Sequence, residues 1–475
     1  MRSELAVGTQ AGYLWLVVAA AAPFLLFPNT SPPLTLFALL VIAAFHARRW
    51  IRGGSLALNT PLGLPLVVLA VMALIGFVVS PSADARPKVF GILLGMLVFR
   101  AVLDYCRVRV HEWRCLIVYL SVGAAFVTAG LLTMSEPVIK WKITEAITAA
   151  LPGILFRPTG AEFGVNPNAL GVTTLFFIPV LVVATIALRS TPLKVLVSQR
   201  TSVVGAKGSV YGLARMLSVG ALLAFTSVLV LTQSRAALIG AAAATFLVLL
   251  MSGDRVSRFL SVGMLAVVVG SGLFIDARGG GPSVLADSRS ALADSFGDVE
   301  RRNPIPLTTR AAIWGRALRS VKDAPVVGLG LSGFREAVKS PYPGYMAVSG
   351  YAGVAHAHNT FLQTALDVGL PGLVAYVAIF MLASLMCWQI QQRGSPVDSA
   401  LALGLWGSLA AVHIFGLFDA VALGAKVGLF MWWSLGLIAA VHRRVVVLAA
   451  TRPVGAAWLP ATQAAEGAIG IGSEG

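Results

Sequence analysis

Charge is what this 475-residue chain has least of: Asp, Glu, Lys and Arg together make up 12% of it, about half the share usual in a soluble domain. Set beside 57% hydrophobic residue types and a mean hydropathy of +0.84, that scarcity excludes a disordered chain, despite 48 glycines and 24 prolines. It equally excludes a string of soluble domains. Cysteine is nearly absent. Cys106, Cys115 and Cys387 lie near the ends of apolar runs without metal-ligand spacing, which leaves them packing roles and no disulfide framework. Walker and Rossmann glycine motifs, coiled-coil heptads and nucleic-acid motifs are also missing. A net charge of +16 therefore carries no implication of nucleic-acid binding.

What is present is a series of nearly charge-free runs, at 12–28, 32–46, 61–80, 88–105, 115–133, 167–188, 216–233, 236–252, 259–275, 369–389, 400–420 and 424–441. Each approaches the roughly 17–25 residues that cross a bilayer as helix, and none alternates as a barrel strand does. The expectation is an all-α polytopic membrane protein with about 12 transmembrane helices. The first run has a long core and eleven runs follow it, so it reads as an uncleaved first helix and not as a signal peptide. Residues 1–275 carry helices 1 to 9, 276–366 a long outer loop with short helices, 367–453 helices 10 to 12, and 454–475 a flexible cytoplasmic tail.

The basic residues orient this series. With the N-terminus inside, 19 of the 36 fall on cytoplasmic turns, among them Arg48, Arg49, Arg52, Arg107, Arg109, Arg443 and Arg444. Seven fall on short outer segments: Arg86, Lys88, Lys140, Lys142, Arg157, Arg235 and Lys426. The asymmetry places both termini in the cytoplasm. The remaining ten belong to the 276–366 loop, where seven acidic residues reduce the net charge to +3. Residues 134–166 read as an outer interfacial segment and 189–215 as a basic inner loop suited to anionic lipid.

Connections as long as 276–366 usually contain secondary structure and often function. Thr308 to Leu318 predicts a helix with an apolar face at 313, 317, 318 and 321, ended by Asp323-Ala324-Pro325, and 332–339 predicts another short helix. His356-Ala357-His358-Asn359 then leads into the tenth run. Structural polar contacts and chemistry are both open for the two histidines. Without a third clustered ligand they make a weak zinc site, and no metal is assigned. Arg235, in the tight Thr232-Gln233-Ser234-Arg235 turn, sits at the outer membrane face. An arginine there implies function by default, with snorkelling to the headgroups as the alternative. Asp419 and Lys426 also fall near the outer mouth, as an ion pair or as substrate contacts.

At these residues the chain resembles the O-antigen ligase and O-antigen polymerase family. The resemblance rests on Ser234-Arg235 opening an apolar helix, on Arg310 with Trp314 followed by Pro325, Gly328 and Gly330, and on His358-Asn359 followed by Gly369-Leu370-Pro371-Gly372. It implies the membrane-embedded, GT-C-like architecture of lipid-carrier glycosyltransferases. It implies transfer of a glycan from undecaprenyl diphosphate to an acceptor hydroxyl, with lipid A-core the usual ligase acceptor, at the outer face of the bacterial inner membrane. The ligase scheme requires no cofactor: neither nucleotide sugar nor metal. His358, Arg235 and Arg310 take the family's catalytic roles; Asn359, His356, Arg316 and Arg319 are lesser diphosphate or substrate candidates, with solvent-facing charge the alternative for Arg316 and Arg319. The 134–166 segment offers only Lys140, Lys142 and Arg157, so ligase and repeat-unit polymerase both stay open. A small-solute transporter fits less well, because the polar candidates gather at the outer rim.

Overall fold

A long apolar run in hydrocarbon has to satisfy its backbone hydrogen bonds within itself, and helix is the local way to do so. The computed structural model describes residues 2–51, 58–134, 165–188, 207–252, 256–259, 261, 307–339 and 356–447. These form α1 (Arg2–Leu26), α2 (Pro32–Ile51), α3 (Gly63–Val79), α4 (Ala85–Tyr105), α5 (Arg109–Leu132), α6 (Pro167–Leu175), α7 (Ile178–Ala187), α8 (Lys207–Thr232), α9 (Arg235–Met251), α10 (Leu307–Asp323), α11 (Gly333–Lys339), α12 (Thr360–Arg393), α13 (Pro396–Phe415) and α14 (Leu429–His442). Among the described residues no strand forms beyond an isolated bridge between Met134 and Val165.

The helical, polytopic expectation holds, but a count of twelve does not follow. Seven described helical segments are long and apolar enough to cross a membrane, and three more apolar helices, in α1, α3 and α9, are shorter. Expected run 88–105 corresponds to α4, whose Arg86, Lys88, Arg100 and Asp104 keep it out of both groups. Three of these charges are partnered inside the protein: Lys88 with Asp367, and Arg100 with Asp104, which Arg49 of α2 also engages. Expected run 259–275 and most of 134–166, 189–215, 276–306 and 340–355 lie outside the described residues, as does the 454–475 tail.

The α6–α7 pair, α13 and α14 form the buried centre, whereas α2 and α8 are largely exposed, as the lipid-facing periphery of a bundle would be. Small residues set how closely the central helices approach. Gly95 on α4 faces the Trp432 indole so tightly that an added Cβ would lie 2.2 Å from a ring carbon. Trp433 packs beside Trp15 and Tyr119, and Phe177 and Phe430 complete the aromatic cluster.

Expected run 167–188 is broken in the middle of this cluster. Pro179 stands at the start of α7 and cannot donate the amide a continuous helix requires. Phe176 lies in the interruption, and its carbonyl accepts hydrogen bonds from the Tyr119 hydroxyl at 3.0 Å and the Ser408 hydroxyl at 2.8 Å, so this buried acceptor is not stranded.

One end of the bundle is held by buried charge. Arg444 makes a forked pair with Glu112, at 2.8 and 2.7 Å, and reaches Asp398 at 2.8 Å. Arg109 bonds the other Asp398 oxygen at 2.7 Å, and Ser395 closes a capping box with the same carboxylate. Removing one member of such a pair strands a buried charge. Arg444→Ala is expected to lower stability by about 3 kcal/mol or more. Arg444→Lys should recover only part of the loss, because an ammonium cannot form the fork. Thermal unfolding of the purified protein in detergent measures both, and equal melting temperatures for wild type and Arg444→Ala would refute the assignment.

Candidate functional site

The two sequence histidines sit at the other end of the bundle, on a turn that is fixed from both sides. Ala357, between them, donates its amide to Gln363 Oε1 at 2.9 Å and accepts the Trp314 indole N–H at 2.9 Å. Gln363 passes the restraint on, donating from Nε2 to Asp367 Oδ1 at 2.8 Å. The fully buried Asp367 also accepts the Ser332 amide at 3.2 Å and faces Lys88 Nζ at 3.4 Å. A chain of polar contacts thus ties the turn to α4, α10 and α12.

The proline and glycine motifs explain how α10 reaches this position. α12 contains a non-helical residue, Gly369, with φ 69° and ψ 178°, followed by Pro371. Segment 325–331 threads into the break: Leu329 donates its amide to Leu366 O at 2.8 Å, and Leu370 donates to Pro325 O at 2.8 Å. Leu331 donates to Gly76 O on α3 at 3.0 Å. A Cβ on Gly369 would lie 2.0 Å from Val326 O, and Gly328 has the same left-handed φ of 69°. The backbones meet too closely there for any larger residue.

His358 is 2% exposed and takes the left-handed conformation, with φ 48°. Its Nδ1 lies 3.2 Å from Asp419 Oδ1, and Asp419 is itself 5% exposed. A carboxylate only accepts, so Nδ1 is the donor of this bond, and in the neutral imidazole Nε2 is then the acceptor. Asp419 Oδ1 is steadied by the Ala420 amide at 2.8 Å, while the Asp419 carbonyl accepts the Thr360 hydroxyl at 3.3 Å. His356 stands alongside, its ring centroid 4.3 Å from that of His358 and its Nδ1 4.0 Å from Asp419 Oδ1.

The remaining sequence candidates separate by position. Asn359 caps α12, its Oδ1 accepting the Phe361 and Leu362 amides at 3.0 Å each, and donates from Nδ2 to Leu417 O at 3.1 Å. Arg310 lies in the first turn of α10, one helical turn before Trp314. Arg316 is buried and donates to Ala337 O, tying α10 to α11; solvent-facing charge, one sequence expectation for it, is corrected by that burial. Arg319 is exposed. Arg235 begins α9 after Gln233, another non-glycine residue with positive φ, at 52°. α9 packs on α13 with Gly240 against Ala411 O. Arg235 is therefore at the Phe415–Gly416 end of α13, where Gly416 O accepts the Thr360 amide at 2.7 Å.

Asp419 as the histidine's partner was not legible in the sequence. It follows His358 by 61 residues, and its only sequence signal was an acidic residue at the mouth of an apolar run. Of the two residues expected at the outer mouth, Asp419 faces the histidines, and Lys426 Nζ lies 3.6 Å from the centre of the Phe27 ring.

The arrangement belongs to a helical membrane protein whose site is a buried carboxylate–imidazole pair with arginines on neighbouring helices. Residues 220–377 match the family model described as O-antigen ligase. That segment, similar to the O-antigen ligase family, holds Arg235, Arg310, Trp314, His356, His358 and Asn359. A comparison with curated proteins finds no match.

The threaded α12 break yields a direct test. Gly369→Ala is expected to cost more than about 1–2 kcal/mol, the left-handed penalty alone, since the clash with Val326 O adds to it. Gly220→Ala on α8, where an added methyl meets nothing within 4 Å, should be neutral or stabilise by up to about 1 kcal/mol. Melting temperatures of the two variants in the same detergent check this; equal shifts would remove the interlock.

Proposed function

We propose that this chain transfers a glycan from undecaprenyl diphosphate to an acceptor hydroxyl, as an O-antigen ligase does, with lipid A-core as acceptor. The reaction takes place at the outer face of the bacterial inner membrane, with both chain termini in the cytoplasm. The observation that carries the reading is the buried His358–Asp419 pair, at the same end of the bundle as Arg235 and on the turn that Trp314 of α10 holds.

In this reading Asp419 holds the Nδ1 proton, and His358 Nε2 takes the proton of the acceptor hydroxyl. The hydroxyl oxygen bonds to the anomeric carbon as the bond from that carbon to the phosphate oxygen breaks. The electron pair leaves with the diphosphate, and the configuration inverts. Arg235 and Arg310 stabilise the charge that gathers on the leaving group. Support for phosphate near Arg235 comes from α9 itself. Its N-cap residue Ser234 makes no capping bond and keeps a buried hydroxyl without a partner, so a phosphate oxygen can take the first-turn amides and that hydroxyl together. Asn359 and His356 shape the surroundings of His358, and Arg319 is an exposed cation on α10.

The test is reconstitution in proteoliposomes with a undecaprenyl-diphosphate glycan, offered either lipid A-core or a second lipid-linked repeat unit. Transfer to lipid A-core is expected. His358→Ala should reduce it by about 10²-fold or more, and Arg235→Ala by about 10²- to 10³-fold. Asp419→Asn should reduce turnover with little change in acceptor KM, because it disturbs the tautomer and not the binding surface. Elongation of the second repeat unit in place of lipid A-core would make the chain a polymerase. Full transfer by folded His358→Ala would remove the histidine from the mechanism.

A further inference from the structure

His356, His358 and Asp419 form more than a hydrogen-bonded pair with a neighbour. Each offers one donor atom, and the three atoms lie within 4.8 Å of one another. Two of the separations are known individually: His358 Nδ1 to Asp419 Oδ1 is 3.2 Å, and His356 Nδ1 to the same oxygen is 4.0 Å. A tetrahedral zinc ion with bonds near 2.0–2.1 Å holds its ligands about 3.3 Å apart. The cluster is therefore close to ligating spacing, and only His356 has to move inward.

The surrounding geometry favours an ion over a chance grouping. His356 Nδ1 accepts the His358 backbone amide at 3.3 Å, a long bond that an incoming ion would replace as His356 closes on Asp419. Ala357, the residue between the two imidazoles, is locked through both its amide and its carbonyl, which holds the backbone of the pair still. The His356 side chain is 26% exposed and the other two side chains are nearly covered, so an ion has a way in at His356 and a dry seat behind it. Two imidazole nitrogens and one carboxylate oxygen are a donor set for zinc-like divalent ions, with a fourth position left for water. Hard cations such as Mg²⁺ prefer all-oxygen, octahedral surroundings, and this cluster offers a single carboxylate oxygen.

We propose that His356, His358 and Asp419 bind one divalent transition-metal ion of the zinc class, and that its binding switches glycan transfer off. The second half rests on the reading above: the ion takes the place of the proton on His358 Nδ1, the neutral ring then carries that proton on Nε2, and the carboxylate leaves its orienting role to ligate the ion. Nε2, now an N–H donor, can no longer take the proton of the acceptor hydroxyl.

The experiment uses the full-length chain without a histidine tag, stripped with chelator and reconstituted in nanodiscs. Co²⁺ titration followed by visible absorption, and Zn²⁺ titration followed by calorimetry, report binding without any turnover. One equivalent is expected, with affinity falling about 10-fold or more in each of His356→Gln and Asp419→Asn, while Mg²⁺ gives no heat. Melting temperatures in the absence of metal establish that the variants fold. Wild-type transfer should fall along the zinc binding curve and return with EDTA. The activity that remains in His356→Gln, whatever its level, should be unmoved by the zinc concentration that halves the wild-type rate.

Absence of binding up to millimolar Zn²⁺, or binding unchanged in both variants, overturns the site. Zinc that binds while transfer is unchanged or increased overturns the switch. Zinc that binds as described in a protein inactive toward every acceptor leaves the metal site standing and removes the proposed reaction, so the two failures are distinguishable.

Discussion

A backbone amide or carbonyl buried among apolar groups must find a partner, and this requirement organises the molecule more than any single side chain does. Where helices run unbroken the partners are local. At the two interruptions they are not. The Phe176 carbonyl is taken by Tyr119 and Ser408 from two other helices. The groups freed at Gly369 are taken by the backbone of 325–331, which simultaneously bonds Gly76 on α3. That second repair has a consequence the first lacks. It brings a segment from outside the central bundle into the bundle wall and so fixes where α10 lies. α10 in turn supplies Trp314, whose indole holds the turn bearing His356 and His358. The position of the imidazoles thus depends on the missing helical hydrogen bonds of α12.

Charge is divided along the same axis. At one end Asp104, Glu112 and Asp398 are each engaged by two arginines or by a forked one, with Ser395 completing the Asp398 shell. Such saturated pairs hold helices together but present no group to a ligand. At the other end the buried carboxylates have different company. Asp367 is spent on positioning, through Gln363, Ser332 and Lys88. Asp419 faces imidazoles, whose charge state and ligands can change. An ion pair with arginine is static near neutral pH; a carboxylate–imidazole pair can exchange a proton or trade it for a metal.

The helices were legible because hydrophobicity is a local property, and eleven of the twelve expected runs fall on described helices. The breaks inside two of them were not anticipated, although Pro179, Gly369 and Pro371 stood in view. A proline marks a missing donor, but only tertiary structure shows which group fills the gap. The candidate site divides the same way. The pairing of His356 with His358, and the placement of Arg235 at a helix start, follow from adjacency along the chain. Asp419 comes from a distant turn, and no periodicity links it to the histidines. Arg316 shows the converse error: charge suggested an outward or ligand-facing side chain, whereas α11 packs over it and offers the Ala337 carbonyl. Pro325, Gly328 and Gly330 could be seen as a motif, yet their function, backbone threading, is invisible without the partner helix.

Backbone strain marks the same end of the molecule. Gln233, Ser332 and His358 are the non-glycine residues with positive φ among those described. Each such conformation costs on the order of 1–3 kcal/mol and persists only when its surroundings over-determine it. Here the surroundings can be named. Ser332 is held by the Asp367 carboxylate on its amide and by the Asp84 carbonyl on its hydroxyl. His358 follows the doubly bonded Ala357 and precedes Asn359, which is committed to capping α12. Gln233 lies between Thr232 and the Ser234 N-cap, where the Thr232 hydroxyl accepts the Ser234 amide at 3.3 Å. Glycine at these positions would lower the backbone strain, but it would also remove the imidazole that the rest of the turn is built to hold. The strain at His358 therefore goes with a side chain kept in one place, against Asp419 and beside His356, where either a proton or an ion can be received.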